Sequence, residues 1–216
     1  MLFRSMALSP SGDLYIVDQR LPLIYKKPAG DGKLKAAMGL RNMVSLRGIA
    51  MNEGGSLMYV ADREMGIAVI EVSSGRVAPL NIDETLNLGG IDGLNFKNNR
   101  LVMIQNGIKP QRVMLLQLDA TGIKVSGVIP MAVAQPGFDF PTFGTLKGED
   151  LYFFANSYWA GKPGAQEPIN IMKSPLESGK ELIQPDMREF LERQARLQEE
   201  EDANKEQEKQ EEQPDQ

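Results

Sequence analysis

Apolar residues fall in short runs split by tight polar turns, and the runs recur as a unit. In Ile91–Asn106, IDGLNFKNNRLVMIQN, one apolar run ends at Phe96 and the next begins at Leu101, with an Asn-rich turn between them. That pattern predicts a β-hairpin. The unit recurs as MALSPSGDLYIVD (Met6–Asp18), RGIAMNEGGSLMYVAD (Arg47–Asp62) and PTFGTLKGEDLYFFAN (Pro141–Asn156). A period of roughly 45 residues with two to four strands per unit predicts the blades of a β-propeller.

The expected strands of the first unit are Met6–Leu8, Leu14–Val17, Leu23–Lys26 and Lys33–Met38. Those of the second are Ile49–Met51, Leu57–Ala61, Gly66–Val72 and Arg76–Leu80. Those of the third are Leu94–Phe96, Leu101–Gln105, Arg112–Leu118 and Ile123–Pro130. The fourth unit shows Thr142–Leu146, Leu151–Ala155 and Asn170–Met172, with a Gly- and Pro-rich loop at Gly161–Pro168 and no fourth strand. From Asp186 the pattern changes. A helix is expected around 186–202, followed by a Glu-, Lys- and Gln-rich tail too poor in apolar residues to offset the entropy of ordering. The division is therefore a partial propeller over 1–180 and a helical, then disordered, acidic tail over 181–216.

Composition narrows the chemistry. The formal net charge of −5 comes mostly from the residues after Met187, and no basic stripe interleaved with aromatics marks a nucleic-acid surface. The chain has no Cys and no His, which removes thiolate nucleophiles, imidazole bases and His- or Cys-ligated metals. No apolar run is long enough for a membrane span, and the chain as given opens without a signal-peptide core. Its first repeat starts almost at Met1, so the expectation is a ring whose first blades lie upstream. The address would then be periplasmic or secreted. An incomplete ring would favour closure by dimerisation.

Aligned by repeat, the second strands end in Asp18, Asp62, Asn106 and Asn156. The inner strands of units two to four are entered at Arg47, Asp92 and Thr142. Inner strands line a propeller's channel, so these entry positions gather at one mouth, where oxygen ligands suit a hard cation. Asp and Asn at strand ends also cap turns through local backbone, the expected role of Asp18 and Asp62. Phe138, Phe140, Tyr158 and the single Trp, Trp159, cluster in the last unit. With Gln105, Asn106, Asn156 and Ser157 they outline a polar-aromatic pocket suited to sugars or lactones. Packing of blade against blade is the commoner role of such aromatics.

Over Met6–Met172, through the stretches GIAMNEGGSLMYVAD and GIDGLNFKNNRLVMIQN, the chain resembles the gluconolactonase and regucalcin-like family of six-bladed propellers. The resemblance implies a divalent cation (Ca²⁺, Mg²⁺ or Zn²⁺) over the channel, held by a Glu of an early blade and by an Asn and an Asp. It also implies a lactone carbonyl polarised by that cation and an Asp base for water attack. Asp92 matches that Asp as metal ligand and catalytic base. Arg47 stands where the family has the Asn, and a guanidinium can neither accept a hydrogen bond nor ligate a cation. The leading expectation is thus a ligand-binding or interaction propeller with a degraded metal site. Its ligand would be a small polar molecule or a protein, met by Arg47, Gln105, Asn106, Asn156 and Trp159. The second is a metal-dependent lactone or ester hydrolase centred on Asp92.

Overall fold

The computed structural model describes residues 2–82, 85–157 and 168–176. It is all-β there, with four antiparallel sheets in a propeller arrangement. Sheet one contains β1 (Phe3–Leu8), β2 (Leu14–Asp18), β3 (Leu23–Lys27) and β4 (Lys35–Gly39). Sheet two contains β5 (Leu46–Met51), β6 (Leu57–Asp62), β7 (Gly66–Glu71) and β8 (Val77–Pro79). Sheet three contains β9 (Ile91–Lys97), β10 (Arg100–Gln105), β11 (Arg112–Leu118) and β12 (Val125–Val133). Sheet four contains β13 (Thr142–Lys147), β14 (Asp150–Phe154) and β15 (Ile171–Pro175). Strand order follows chain order in every sheet. The expected helix at 186–202 and the acidic tail lie outside the described residues. Among the described residues no helix is long and apolar enough to cross a membrane.

The hairpin of the third sheet closes on two residues, with Lys97 opposite Arg100. Asn98 and Asn99 carry φ of 50° and 57°. Two left-handed residues in a two-residue loop match the twist of the flanking strands, and Asn tolerates that conformation. β12 runs further than expected and includes Pro130 opposite Met114. Proline is tolerated there because an outermost strand has a side that needs no N–H donor.

Each innermost strand breaks register near its start. The shifts fall at Phe3/Ser5, Leu46/Gly48 and Thr142/Gly144, and in the third sheet Ile91 and Gly93 flank the skipped residue. A β-bulge leaves its extra residue outside the ladder and re-aims its side chain. The four bulged residues are Arg4, Arg47, Asp92 and Phe143. Each is followed by a small residue: Ser5, Gly48, Gly93 or Gly144. At Gly48 the reason is close approach, since a Cβ there would stand 2.7 Å from the Cβ of Leu94 on the next blade's inner strand.

The core lies between blades. One cluster joins sheets one and two through Tyr15, Val17, Ile24, Ile49 and Val60. A second joins sheets two and three through Tyr59, Val69, Leu94 and Met103. A third joins sheets three and four through Ile104, Leu115, Leu151 and Phe153. The two outer faces of the series differ. Ile49 and Leu94, which follow the bulge by two residues and pack on the preceding blade, are 3% and 6% exposed. The matching residue of sheet one, Met6, is 65% exposed. On the far side of sheet four, Phe143, Tyr152, Phe154 and Ile171 line an apolar cavity of about 270 Å³.

Candidate functional site at the channel mouth

Three of the bulged residues meet at one point. Asp92 is 3% exposed, and both of its oxygens accept from Nη2 of Arg4 at 2.7 Å. Oδ2 also accepts from the Thr142 hydroxyl. Nη1 of Arg47 stands 3.9 Å and Nη1 of Arg63 3.7 Å from Oδ1. The guanidinium of Arg4 lies over the ring of Phe143, 4.3 Å from its centroid. Side chains from all four sheets thus converge on one carboxylate.

Arg63 comes from the turn between β6 and β7, and the backbone around it holds it there. Its carbonyl accepts from Gly90 N, and the Gly90 carbonyl accepts from the N–H groups of Asn106 and Gly107. Asn106 Oδ1 accepts from Arg63 Nη1 at 2.9 Å, while Asn106 Nδ2 donates to the carbonyl of Pro141, where β13 begins. A Cβ on Gly90 would lie 2.8 Å from the Gly107 backbone, so these two chain segments touch only because both are glycine.

The other expected residues are placed elsewhere. Asp18 and Asp62 cap turns. Asp18 Oδ1 accepts from the N–H groups of Leu2 and Arg20, and Asp62 accepts from Val44, Ser45, Glu64 and Met65. Gln105 is fully buried. Its Nε2 donates to the carbonyls of Asn87 and Gly89, and its Oε1 accepts from Arg112 Nε, which fixes the loop entering β9. Asn156 ties 168–170 to the end of β14, donating to the Pro168 carbonyl and accepting from Asn170 N. Phe138 packs edge-on against Phe153, with centroids 5.9 Å apart, so it belongs to the joint between blades. Trp159 and Tyr158 lie outside the described residues. Register also separates the four strand-end residues: Asp18 and Asp62 pair opposite Phe3 and Leu46, whereas Gln105, not Asn106, sits opposite Ile91.

Arg4 and Arg63 were not among the expected site residues. Arg4 had a signal, since Phe3-Arg4-Ser5 and Leu46-Arg47-Gly48 occupy the same repeat position. Arg63 sits in a turn, beyond any strand pattern.

The electrostatics are those of a cationic mouth. Burial holds the Arg47 guanidinium below its ordinary pKa; Asp92 opposes that shift and the charges of Arg4 and Arg63 add to it. Among the described residues no group of three or more carboxylates, His or Cys is placed to hold a metal ion. Asp92 is one hard oxygen ligand facing three guanidiniums, and that donor set does not fit a divalent cation.

The Asp18 cap gives a pH dependence. Burial would raise its carboxyl pKa, but the N–H groups of Arg20, Leu2 and Leu21 more than offset this and hold it below the ordinary value. A depressed folded pKa contributes stability above the unfolded value, about 4, and loses it as pH falls through the folded one. Asp18→Asn should therefore be less stable than the wild type at pH 7, with the difference shrinking below about pH 4. Urea unfolding at the two pH values checks this; a difference that stays constant would contradict it.

No protein-family model matches the sequence, and no curated protein matches it. Solved structures do. Hydrazine synthase of Kuenenia stuttgartiensis is similar at TM-score 0.60 and 15% identity, over 81% of this chain and 46% of that one. A nidogen/laminin complex chain is similar at TM-score 0.55 and 15% identity, over 71% and 72%. Virginiamycin B lyase from Staphylococcus aureus is similar at TM-score 0.54 and 18% identity, over 81% and 56%. The chain spans about half the length of the first and last of these. At such identities the likeness concerns the fold alone, and that fold is the β-propeller.

Proposed function

We propose that the chain is a ligand-binding propeller module whose recognition site is the channel mouth around Asp92. The observation that carries this reading is the convergence of Arg4, Arg47, Asp92, Thr142 and Phe143 from four blades, with Arg63 beside them. Polar groups converging from rigid strands orient a small ligand better than loops do. The gluconolactonase-like resemblance of the IDG entry at Ile91–Gly93 fits a mouth that keeps the Asp and carries Arg47 where that family has the Asn. Arginine side-chain Nε–Hε resonances, followed by NMR during addition of sugars, lactones, carboxylates and phosphates, test the site. Shifts confined to Arg4, Arg47 and Arg63 are expected. Shifts elsewhere, with these three unmoved, would contradict it.

The second reading is a metal-dependent lactone or ester hydrolase centred on Asp92. It rests on the sequence resemblance, and the three guanidiniums around Asp92 speak against it.

A partner surface accompanies the mouth. Met6 and Leu8 on one outer blade face and Ile171 on the other are more than half exposed, and exposed apolar faces of this kind associate. Sedimentation of the purified chain should show concentration-dependent self-association that Met6→Glu with Ile171→Glu weakens. A monomer at all concentrations would overturn this expectation.

A further inference from the structure

Given the self-association expected of the exposed blade faces, we infer that the contact is head to tail: the outer face of sheet four takes sheet one of a second copy, with Tyr152 against Leu8. The internal repeat sets this pairing. Tyr15, Tyr59, Val102 and Tyr152 hold the same position in successive units. In register they stand opposite Ala7, Ala50, Asn95 and Thr145 of the inner strands. The first three face the following blade. Tyr15 lies in the core between sheets one and two, Tyr59 in that between two and three, and Val102 in that between three and four. They are 5%, 0% and 0% exposed. Tyr152 is the fourth of the series. Its neighbours Leu151 and Phe153 point into the core shared with sheet three, so alternation puts Tyr152 on the other side. There it lines the apolar cavity of about 270 Å³ with Phe143, Phe154 and Ile171. Among the described residues no following blade covers it.

Sheet one carries the opposite half of such a joint. Met51, Phe96 and Leu146 occupy matching positions, paired with Met58, Leu101 and Leu151. Each packs against the core that its blade shares with the preceding one. At the joint between sheets two and three, Tyr59 stacks on Phe96 with ring centroids 5.4 Å apart, and its hydroxyl donates to the Gly122 carbonyl. The sheet-one equivalent of Phe96 is Leu8, paired with Leu14 and 68% exposed.

Within the described residues every joint unites one face of each kind, never two alike. A second copy offers the missing kind to each end: Leu8 and Met6 for the face of Tyr152, and the reverse. Lys173, beside Tyr152, is paired with Asp150 at 2.9 Å, so its charge does not oppose the contact. Unlike faces meeting in this way make a heterologous contact.

The chain has no Cys, so single-cysteine variants report the pairing without background. Sedimentation of the full chain comes first. Concentration-dependent association is expected, and a monomer at all concentrations would overturn both the self-association and the pairing. Leu8→Cys and Tyr152→Cys chains are then treated with a bismaleimide spanning about 10 Å, the distance between packed sheets. Crosslinked dimer is expected when the two variants are mixed and not from either alone. Adding Met6→Glu to the Leu8→Cys chain should remove it. Crosslinking within Leu8→Cys alone or Tyr152→Cys alone would place like faces together and overturn the head-to-tail pairing while leaving self-association. A chain that associates without crosslinking in the mixture, or a crosslink that survives Met6→Glu, would overturn the pairing as well.

Discussion

Asp92→Ala should lower unfolding free energy by about 3–5 kcal/mol, the range for removing one partner of a buried ion pair. The size follows from what remains. Arg4, with 8% of its side chain exposed, loses both of its 2.7 Å contacts, and Arg47 and Arg63 lose the carboxylate that offsets their mutual repulsion. The Thr142 hydroxyl loses its acceptor as well. The damage crosses the channel, because Arg4 belongs to β1, Arg47 to β5 and Thr142 to β13. Asp92→Asn loses the charge and turns one of the two acceptor oxygens into an N–H donor but keeps the other, so it should cost less than Asp92→Ala. Urea denaturation of both variants checks the order. Equal and small losses in the two would show that the cluster is not a stability centre.

Phe153→Ala should cost about 3–5 kcal/mol through the cavity left in the joint between the third and fourth sheets. Phe153 is 2% exposed and packs against Phe138, within a cluster that includes Ile104, Val113, Leu115 and Leu151. The fourth sheet has three strands and, among the described residues, packs its core on the third sheet alone. The loss should therefore appear as local opening. Amides of β13–β15 should exchange faster while those of β5–β7 keep their protection. Phe154→Ala, on the exposed face of the same strand, should change stability by less than about 0.5 kcal/mol. Comparable losses in the two variants would mean that the apolar face of β14 is as well packed as the buried one.

The hairpins and their order were legible in the sequence because unbroken apolar runs are bounded there by polar turn residues. Lys97-Asn98-Asn99-Arg100 marks its own turn, and the runs Leu57–Ala61 and Leu101–Gln105 can only be buried strands. Asp92 was legible for a different reason: it stands at the inner-strand entry of its repeat, and its Ile-Asp-Gly entry carries the family resemblance. Arg4 was hidden because a bulge breaks alternation at the very residue it re-aims, so β1 reads as starting at Met6 when it starts at Phe3. The same bulge makes Phe143, not Thr142, the repeat equivalent of Arg47, although the Thr142 hydroxyl still reaches Asp92. Gln105 and Asn106 are neighbours of identical character in the sequence, and register alone separates them. One bonds backward into the loop before β9; the other bonds forward to Arg63 and Pro141.

The most direct measurement is calorimetric titration of Ca²⁺, Mg²⁺ and Zn²⁺ into the wild type and Asp92→Asn. A mouth in which three guanidiniums surround a single carboxylate should take up none of these cations through Asp92, so the two proteins should give the same heats. Saturable binding by the wild type that is lost in Asp92→Asn would contradict the account and return Asp92 to the role of a metal ligand.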